Sequence, residues 1–382
     1  MALFSPFTLR GVTFRNRIAV SPMSQYAARE GYANDYHFAH LARFALGGAG
    51  LVLTEATAVE ARGRRTPGDL GLWEDGQIEG LARIAQFLEQ EGVVPGIQLG
   101  HAGRKASERR PWHGETPVTE EDIELRGEAP WLAIAPISEP YGEVWPAPRR
   151  MTSDDIGDVR VGFRDAAARA WEAGFRFLEV YAAHGFLLHQ FYSPACNTRD
   201  DDYGGDFAGR TRLLLEVASD IRSVWPDQLP LSFRLSATDW LEEGGWKIED
   251  TVELAKALKQ QGVDMVVCSS GALGGPKKPV LMPVGQGFQV PFAEAVRREA
   301  DLASMAVGFI WDPQFADEII REGRADMIAV ARELLYNPNW PLQAAQALGQ
   351  DTDFSMWRPQ FGWWLNKRER LVKKLRLRDE PK

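Results

Sequence analysis

Short runs of β-branched and aliphatic residues recur along the chain. Each run gives way to small or polar residues and then to a longer stretch in which apolar residues return every three to four positions. The runs predict eight strands, over residues 17–23, 50–59, 94–101, 175–183, 229–239, 263–271, 304–310 and 326–332. The longer stretches predict helices, among them residues 77–91, 154–173, 209–225, 248–261 and 313–322.

The repeated alternation of strand and helix favours the α/β class and, within it, a closed TIM (β/α)₈ barrel, with an open doubly wound sheet as the alternative. The residues ahead of the first strand are expected to form an N-terminal hairpin. Residues 110–150 are rich in proline and glycine and predict a long loop insertion, or lid, after the third strand. We expect one barrel domain over residues 1–350 and a C-terminal extension over residues 351–382 that packs at a subunit interface.

Composition narrows the classes of function. Hydrophobic residues make up 45% and charged residues 25% of the chain, which is typical of a soluble globular protein with a substantial core. The formal net charge of −9 opposes binding to nucleic acid or to an anionic membrane, and the basic residues of 367–382 are expected to form a solvated helix face. No apolar run of about eighteen residues occurs, so no membrane-spanning helix is expected. With nucleic acid and membranes disfavoured, the expected partner is a small-molecule substrate.

The number and spacing of the cysteines indicate the cellular compartment in which the protein is expected. The chain has two cysteines, Cys196 and Cys268, which provide neither a disulfide framework nor a CxxC metal motif. The first residues, MALFSPFTLRGVTF, lack the basic and apolar segments of a secretion signal. These features predict a cytoplasmic protein without a metal site.

Polar residues cluster where the predicted strands end, and a barrel builds its active site at that mouth. Gly308 ends the seventh strand and Arg332 the eighth, where barrels often bind phosphate, although a strand-end glycine and a surface arginine are equally good interpretations. Gln98 and Arg234 lie in apolar surroundings that penalise an unpaired amide or guanidinium. The pyrimidine edge of a flavin would partner both, and a structural ion pair is the alternative for Arg234.

Five motifs appear in order along the chain: SPMSQY at 21–26, EATAV at 55–59, IQLGHAGRK at 97–105, HGFLLHQF at 184–191 and DYGG at 202–205. With these motifs, from LFSPFTLRGVTFRNRI near the start to ARELLYNPNWP near the end, the chain resembles the old yellow enzyme family of NADH:flavin oxidoreductases. It is most similar to the thermophilic-like, xenobiotic-reductase branch.

This resemblance implies a non-covalent FMN that is reduced by NADPH or NADH and then passes hydride to the β-carbon of an activated alkene. Such an enzyme is an ene-reductase. The family's flavin contacts map by motif position onto Pro22, Met23, Ser24, Ala56, Gln98, Arg234, Gly308, Ala331 and Arg332.

Three positions depart from the family pattern. Ser24 stands where the branch has a cysteine beside the flavin, and the change is expected to shift the flavin potential. Tyr181 and His184 stand where the family has the pair that donates hydrogen bonds to the substrate carbonyl. Phe186 stands where the family has the tyrosine that protonates the α-carbon, so Tyr181, Tyr26 or water must supply that proton if enones are reduced.

The segment after the barrel is too aromatic for a free tail. Its rings are expected to pack on the chain's own helices or on a second subunit. Relatives in this branch pass an arginine from the corresponding segment into a neighbour's active site, and by motif position that residue is Arg358. The resemblance therefore implies a homodimer or homotetramer in which Arg358, Trp363 or Trp364 closes the partner's substrate pocket.

Other functions remain open at this stage. A quinone or nitro reductase, a dehydrogenase that runs in the desaturating direction, or a flavin-binding protein with little turnover would each tolerate the loss of a proton donor at Phe186. Two cysteines exclude a four-thiolate iron–sulfur cluster. His37 and His40 could mimic a zinc pair, but hydrogen bonding in the core explains them better.

Overall fold

The computed structural model describes residues 2–275, 282 and 284–379, with the side chains of residues 376–379 left out. Eight parallel strands form its central sheet: Ile18–Val20, Leu51–Ala58, Val94–Gly100, Phe177–Ala182, Leu231–Ser236, Met265–Ser269, Ala303–Ala306 and Met327–Val330. The first strand pairs with both the second and the eighth, so the sheet closes. The predicted (β/α)₈ barrel is confirmed, and the open sheet is excluded.

Eight helices follow the barrel strands: Asp35–Leu46, Ile78–Gln90, Ser153–Glu172, Phe207–Arg222, Ile248–Gln260, Val290–Glu299, Pro313–Arg321 and Trp340–Ala347. Capping contacts determine where these helices begin and end. The Thr152 hydroxyl accepts from the Asp155 amide and caps the third of these helices, a contact worth about 1 kcal/mol. That helix stops before Gly174, whose φ of +93° suits glycine.

The N-terminal hairpin covers the barrel end opposite the mouth. Its strands, Phe7–Leu9 and Val12–Phe14, are antiparallel as predicted. The Phe14 ring packs edge-on against Phe177, the first residue of the fourth barrel strand, with 5.9 Å between ring centroids. The hairpin therefore seals the core from below and leaves the other end of the strands for chemistry.

The predicted strands extend too far at the mouth. The first strand ends at Val20 rather than at residue 23, the seventh at Ala306 rather than at 310, and the eighth at Val330 rather than at 332. The reason is backbone geometry. Gly308 has a φ of +110° and Ala331 has φ −115° and ψ −93°, and neither conformation continues a strand.

The insertion after the third strand is more ordered than a loop. It contains the helix Glu120–Arg126 and a small sheet of Ile134–Ala135 with Arg149–Arg150. Arg199, in the loop after the fourth barrel strand, holds both strands of that sheet by donating to the carbonyls of Pro136 and Met151, which follow them, at 2.8 and 2.9 Å. The insertion was predicted as a long loop or lid, and its helix and small sheet were not predicted.

The shorter helices Leu187–Tyr192 and Arg332–Tyr336 lie in the loops of the fourth and eighth strands, and the helix Pro359–Asp379 follows the barrel. The last helix begins with exposed rings, since Phe361, Trp363 and Trp364 are 46%, 56% and 64% accessible. Among the described residues, no helix is both long enough and apolar enough to cross a membrane.

Candidate active site

A cavity of about 480 Å³ opens at the C-terminal ends of the barrel strands. Its wall combines residues from the first strand and from the fourth to the eighth strands, or the loops that follow them, and includes Ser21, His184, Arg234, Gly308 and Arg332. Parallel strands bring these distant parts of the chain to one rim. The cavity therefore lies where the sequence predicted the active site.

The seventh and eighth strands form one end of this cavity. A side chain at Gly308 would place its Cβ in a tight contact 3.1 Å from the backbone nitrogen of Gln289, and the φ of +110° also favours glycine here. The Arg332 guanidinium lies 4.3 Å from the centre of the Phe309 ring and has no carboxylate partner among the described residues. A free guanidinium beside an open backbone suits a phosphate group.

Arg234 projects into the cavity from the fifth strand. It donates from Nη1 to the Ser21 hydroxyl at 2.8 Å, while its buried Nε has no hydrogen-bond partner in the described part of the chain. An unpartnered buried N–H is costly, and a ligand atom would remove that cost. Arg234 also forms no ion pair with a described residue, so the ion-pair alternative loses its support.

Gln98 is held by Glu179, a residue that was not predicted from the sequence. Its Nε2 donates to Glu179 Oε1 at 2.6 Å, and Glu179, on the fourth strand, is completely buried. Burial raises the pKa of Glu179 despite the nearby charge of Arg234. With its amide N–H bonded to Glu179, Gln98 keeps its carbonyl oxygen as the acceptor for a ligand N–H.

The other predicted flavin contacts lie on neighbouring parts of the rim. Ala56 pairs with Gln98 across the second and third strands. Ser21 is the member of the first segment that lines the cavity, and Pro22, Met23 and Ser24 follow it along the mouth. Glu55 holds this segment by accepting from the Gln25 amide, and it also bonds to His37 at 3.1 Å. His37 therefore has the core hydrogen bond expected of it.

Tyr181 and His184 meet at the end of the fourth strand. The strand stops at Ala182, and His184 turns back with a φ of +54°, so an i, i+3 pair converges as the motif requires. The Tyr181 hydroxyl lies 2.8 Å from His184 Nδ1. Burial raises the pKa of Tyr181 to about 12, and burial beside Arg234 and Lys105 keeps the pKa of His184 well below its usual range. His184 is therefore neutral.

A second set of contacts fixes the His184 ring and was not predicted. Its Nε2 lies 2.6 Å from the Ser269 hydroxyl, and the Gln289 amide nitrogen donates to Ser269 at 3.4 Å and to Ser270 at 2.6 Å. Ser269 accepts from Gln289 and keeps its own O–H, which we assign as the donor to His184 Nε2. We assign the ring proton to Nδ1, from which it is donated to the Tyr181 oxygen. The Tyr181 O–H is then free for a substrate.

Phe186 and Tyr26 lie beside this pair, outside the wall of the cavity. The Phe186 ring packs on the Tyr181 ring with 4.1 Å between centroids and is 7% accessible. Tyr26 packs edge-on against Trp112 of the insertion, 5.7 Å between centroids, and its carbonyl accepts from Arg110. Burial raises the pKa of Tyr26.

The C-terminal candidates lie away from the chain's own cavity. Arg358 forms an ion pair with Glu91, at the end of the helix that follows the second strand. Trp363 and Trp364 pack edge-to-face, 4.5 Å between centroids, and the Lys367 ammonium lies 3.6 Å from the Trp363 ring. The structure therefore brings the barrel candidates together but not these three.

The residues of the cavity fit FMN. Gly308 and Arg332 would hold the phosphate, the unpartnered Arg234 Nε and the oriented Gln98 carbonyl would meet the pyrimidine edge, and Tyr181 would face the substrate side. An oxidoreductase that binds FMN in a (β/α)₈ barrel is the class that this fold and site define.

Comparisons with known proteins specify the family. The family model described as the NADH:flavin oxidoreductase / NADH oxidase family matches residues 2–351. The chain is 42% identical to the NADPH dehydrogenase of Geobacillus sp. (strain WCH70), over 94% of this chain and 98% of that one. It is 40% identical to the NADPH dehydrogenase of Bacillus subtilis (strain 168), over 91% and 96% of the two chains.

Among solved structures, the old yellow enzyme homologue from Zymomonas mobilis superposes with a TM-score of 0.72 at 23% identity, covering 91% of this chain and 93% of that one. This likeness shows a shared fold. The protein belongs to the NADH:flavin oxidoreductase (old yellow enzyme) family, as the motifs indicated, and is an FMN-dependent oxidoreductase that uses NADPH or NADH.

Proposed function

We propose that the protein is an ene-reductase that reduces electron-poor alkenes, in particular α,β-unsaturated carbonyl compounds. The observation that carries this proposal is the Tyr181–His184 pair, 2.8 Å apart at the rim of the flavin cavity. The pair supports binding of a carbonyl oxygen, since a hydrogen bond to that oxygen draws electrons from the alkene and favours hydride attack at its β-carbon.

Tyr181 takes the proton-donor role that Phe186 cannot fill. FMN, when bound, would supply the hydride. Tyr181 gives its proton to the carbonyl oxygen, so the product leaves as an enol that rearranges to the saturated ketone, and His184 then stabilises the phenolate through its Nδ1–H. The chain of donors from Gln289 through Ser269 supports this direction of transfer.

One observation favours a second function, the reduction of quinones or nitro compounds. Phe186 provides an apolar face beside Tyr181 and has no proton to offer the α-carbon. The enol released from an enone must still gain a proton on its α-carbon, whereas quinones and nitro compounds take their protons on oxygen and need no α-carbon donor. Such compounds would bind the same Tyr181–His184 pair. The two functions therefore use one site and are distinguished by the rates at which each class of acceptor reoxidises the flavin.

Phe186→Tyr is expected to accelerate reoxidation of the reduced flavin by cyclohexenone roughly tenfold, less than the ~10²–10⁴-fold of full general acid catalysis because Tyr181 already supplies a proton. The new hydroxyl would protonate the α-carbon directly, beside the Tyr181 ring at 4.1 Å. Stopped-flow absorbance after anaerobic mixing measures the rate. Reduction of the flavin by NADPH is expected to stay unchanged.

Phe186→Leu is the matched control, because it alters the same packing without adding a donor. An equal acceleration in both variants would assign the effect to space rather than to proton transfer. No acceleration in Phe186→Tyr would contradict the proposal that a carbonyl substrate presents its α-carbon to residue 186.

We also propose that the C-terminal segment closes the active site of a second copy of the chain in a homodimer or homotetramer. The exposed Phe361, Trp363 and Trp364 support this, since an aromatic cluster in water favours a partner surface. Arg358, 40% accessible and paired with Glu91, lies three positions before Phe361 at the start of the cluster.

Truncation after Asp353 is expected to shift the protein to monomers in light scattering and to raise the KM for the alkene about tenfold or more. Arg358→Ala is expected to raise KM while the assembly persists, because the cation and not the aromatic contact is removed. Arg368→Ala is the matched control, since this arginine is 66% accessible on the helix Pro359–Asp379, which begins next to Arg358. A full-length monomer with normal kinetics would contradict the proposal.

A further inference from the structure

The turn that carries His184 is held by hydrogen bonds to its backbone. His184 and Gly185 are both left-handed, with φ of +54° and +72°. This conformation is sparsely populated for a residue with a side chain, and it persists only where the surroundings fix it. The His184 N–H donates to the Ser236 hydroxyl at 2.9 Å, and its carbonyl accepts from Lys105 at 2.6 Å. The direction of the His184 imidazole therefore depends on the contacts of this turn.

The next N–H of the turn, that of Gly185, binds a second histidine. His189 lies on the helix Leu187–Tyr192 and is completely buried. The Gly185 N–H donates to His189 Nδ1 at 2.8 Å. Because a backbone N–H can only donate, we assign the lone pair to Nδ1 and the ring proton to Nε2. The contact therefore requires one tautomer of His189.

Asp239, in the loop after the fifth strand, fixes this tautomer from the other side of the ring. Its Oδ1 lies 2.8 Å from His189 Nε2, and its Oδ2 accepts from the Ser193 hydroxyl at 2.6 Å and from the Trp246 N–H at 2.8 Å. Burial raises the pKa of Asp239, but these hydrogen bonds outweigh it and leave the pKa below its usual value. An ionised carboxylate only accepts, so His189 Nε2 must be the donor.

The position of the His189 proton affects the acceptor site through this turn. A proton on Nδ1 would oppose the Gly185 N–H and break the contact between them. Gly185 has little room to adjust, because a Cβ at this position would lie 2.5 Å from the carbonyl oxygen of Ala272. A displaced Gly185 would move the adjacent His184, whose Nδ1 lies 2.8 Å from the Tyr181 hydroxyl.

We propose that His189 and Asp239 are positioning residues for the acceptor site. Asp239 keeps the His189 proton on Nε2, and His189 Nδ1 then holds the Gly185 N–H. The turn in this position keeps the His184 imidazole directed at Tyr181. This inference deepens the proposed ene-reductase function and rests on the role that Tyr181 and His184 have in it.

The first test compares two substitutions of His189 in the FMN-loaded enzyme. His189→Leu removes the acceptor for the Gly185 N–H, so it is expected to slow reoxidation of the reduced flavin by cyclohexenone about tenfold. The dissociation constant of cyclohexanone, which has the carbonyl but no alkene, is expected to rise about tenfold as well, measured from the flavin absorbance. In His189→Asn the amide oxygen takes the place of Nδ1, so both values are expected to stay within about threefold of the wild type.

His37→Leu is the matched control for loss of a buried histidine. The His37 ring also lies beside a buried carboxylate, with Nε2 at 3.1 Å from Glu55, but it belongs to the helix Asp35–Leu46 and not to the turn. This variant is expected to bind cyclohexanone as the wild type does.

The second test addresses the tautomer with Asp239→Asn. The amide nitrogen of this variant is expected to face His189 Nε2 and not the Trp246 N–H, because an imidazole can move its proton and a backbone amide cannot. The proton then moves to His189 Nδ1, and reoxidation by cyclohexenone is expected to slow about tenfold. In the His189→Asn background the same change is expected to cost less than about threefold, because an amide oxygen accepts from Gly185 without a tautomer to set.

Equal losses in His189→Leu and His189→Asn would overturn the proposal, and so would wild-type affinity for cyclohexanone in His189→Leu. Effects of Asp239→Asn and His189→Asn that add in full would overturn it as well, since they would show that Asp239 does not act through the His189 proton. A wild-type enzyme that binds cyclohexanone but is not reoxidised by cyclohexenone would instead defeat the ene-reductase function, so the two failures are distinguishable.

Discussion

Tyr181→Phe is expected to slow reoxidation of the reduced flavin by cyclohexenone by ~10²–10⁴-fold, the range for loss of a general acid. The variant keeps the ring that packs on Phe186 but loses the hydroxyl 2.8 Å from His184. The second half-reaction needs this proton and the first does not, so flavin reduction by NADPH is expected to keep its rate. Anaerobic stopped-flow absorbance separates the two steps.

Tyr26→Phe is the control that identifies the donor. Tyr26 is the other phenol near the mouth, so a large loss there with a small loss in Tyr181→Phe would transfer the role to Tyr26. The wild-type rate is also expected to stay flat from about pH 7 to about pH 10. A pKa of about 12 keeps Tyr181 protonated throughout that window, and the lowered pKa of His184 keeps its ring neutral.

Arg332→Ala is expected to weaken FMN binding by about 10²-fold or more, and the variant is expected to lose its yellow colour on gel filtration. The phosphate would lose a two-pronged charge-assisted contact, each hydrogen bond of which contributes roughly 1.5–3 kcal/mol. Fluorescence titration of the apoprotein with FMN measures the dissociation constant.

Two further variants define what the arginine contributes. Arg332→Lys is expected to bind FMN with an intermediate affinity, because an ammonium keeps the charge but not the fork. Arg321→Ala, on the outer helix before the eighth strand and 61% accessible, is expected to bind FMN as the wild type does. Unchanged FMN affinity in Arg332→Ala would remove Arg332 from the phosphate site.

The barrel itself was predictable because its periodicity is repeated eight times along the chain. The ends of the strands were less predictable, because residues such as Gly308 and Ala331 continue the apolar pattern in sequence while their backbones turn out of the strand. The insertion was underestimated for a different reason. Its short helix, Glu120–Arg126, is capped by Thr119 and stabilised by buried Asp122, and a seven-residue acidic stretch gives no amphipathic signal.

Part of the site could be found from chemistry alone. Gln98 and Arg234 are polar residues inside apolar strands, and such residues need partners, so their sequence context marked them. Glu179 carried the same signal, a carboxylate within the buried strand FLEVYA, and was overlooked. Its role is to orient the Gln98 amide from below.

The contacts of His184 could not be found in this way. Ser269 lies 85 positions away in sequence, and Gln289 is a further 20 positions on. A serine in a strand and a glutamine before a helix are common, and only barrel closure brings them to the imidazole.

The central claim is that a carbonyl-bound alkene accepts hydride at this flavin and a proton from Tyr181. Its most direct test is to reduce the purified wild-type enzyme with one equivalent of NADPH without oxygen, add cyclohexenone, follow the flavin absorbance and identify the product. We predict bleaching by NADPH, recovery of the oxidised spectrum on mixing, and cyclohexanone as the product. A flavin that NADPH bleaches but that only quinones or nitro compounds reoxidise would contradict the claim.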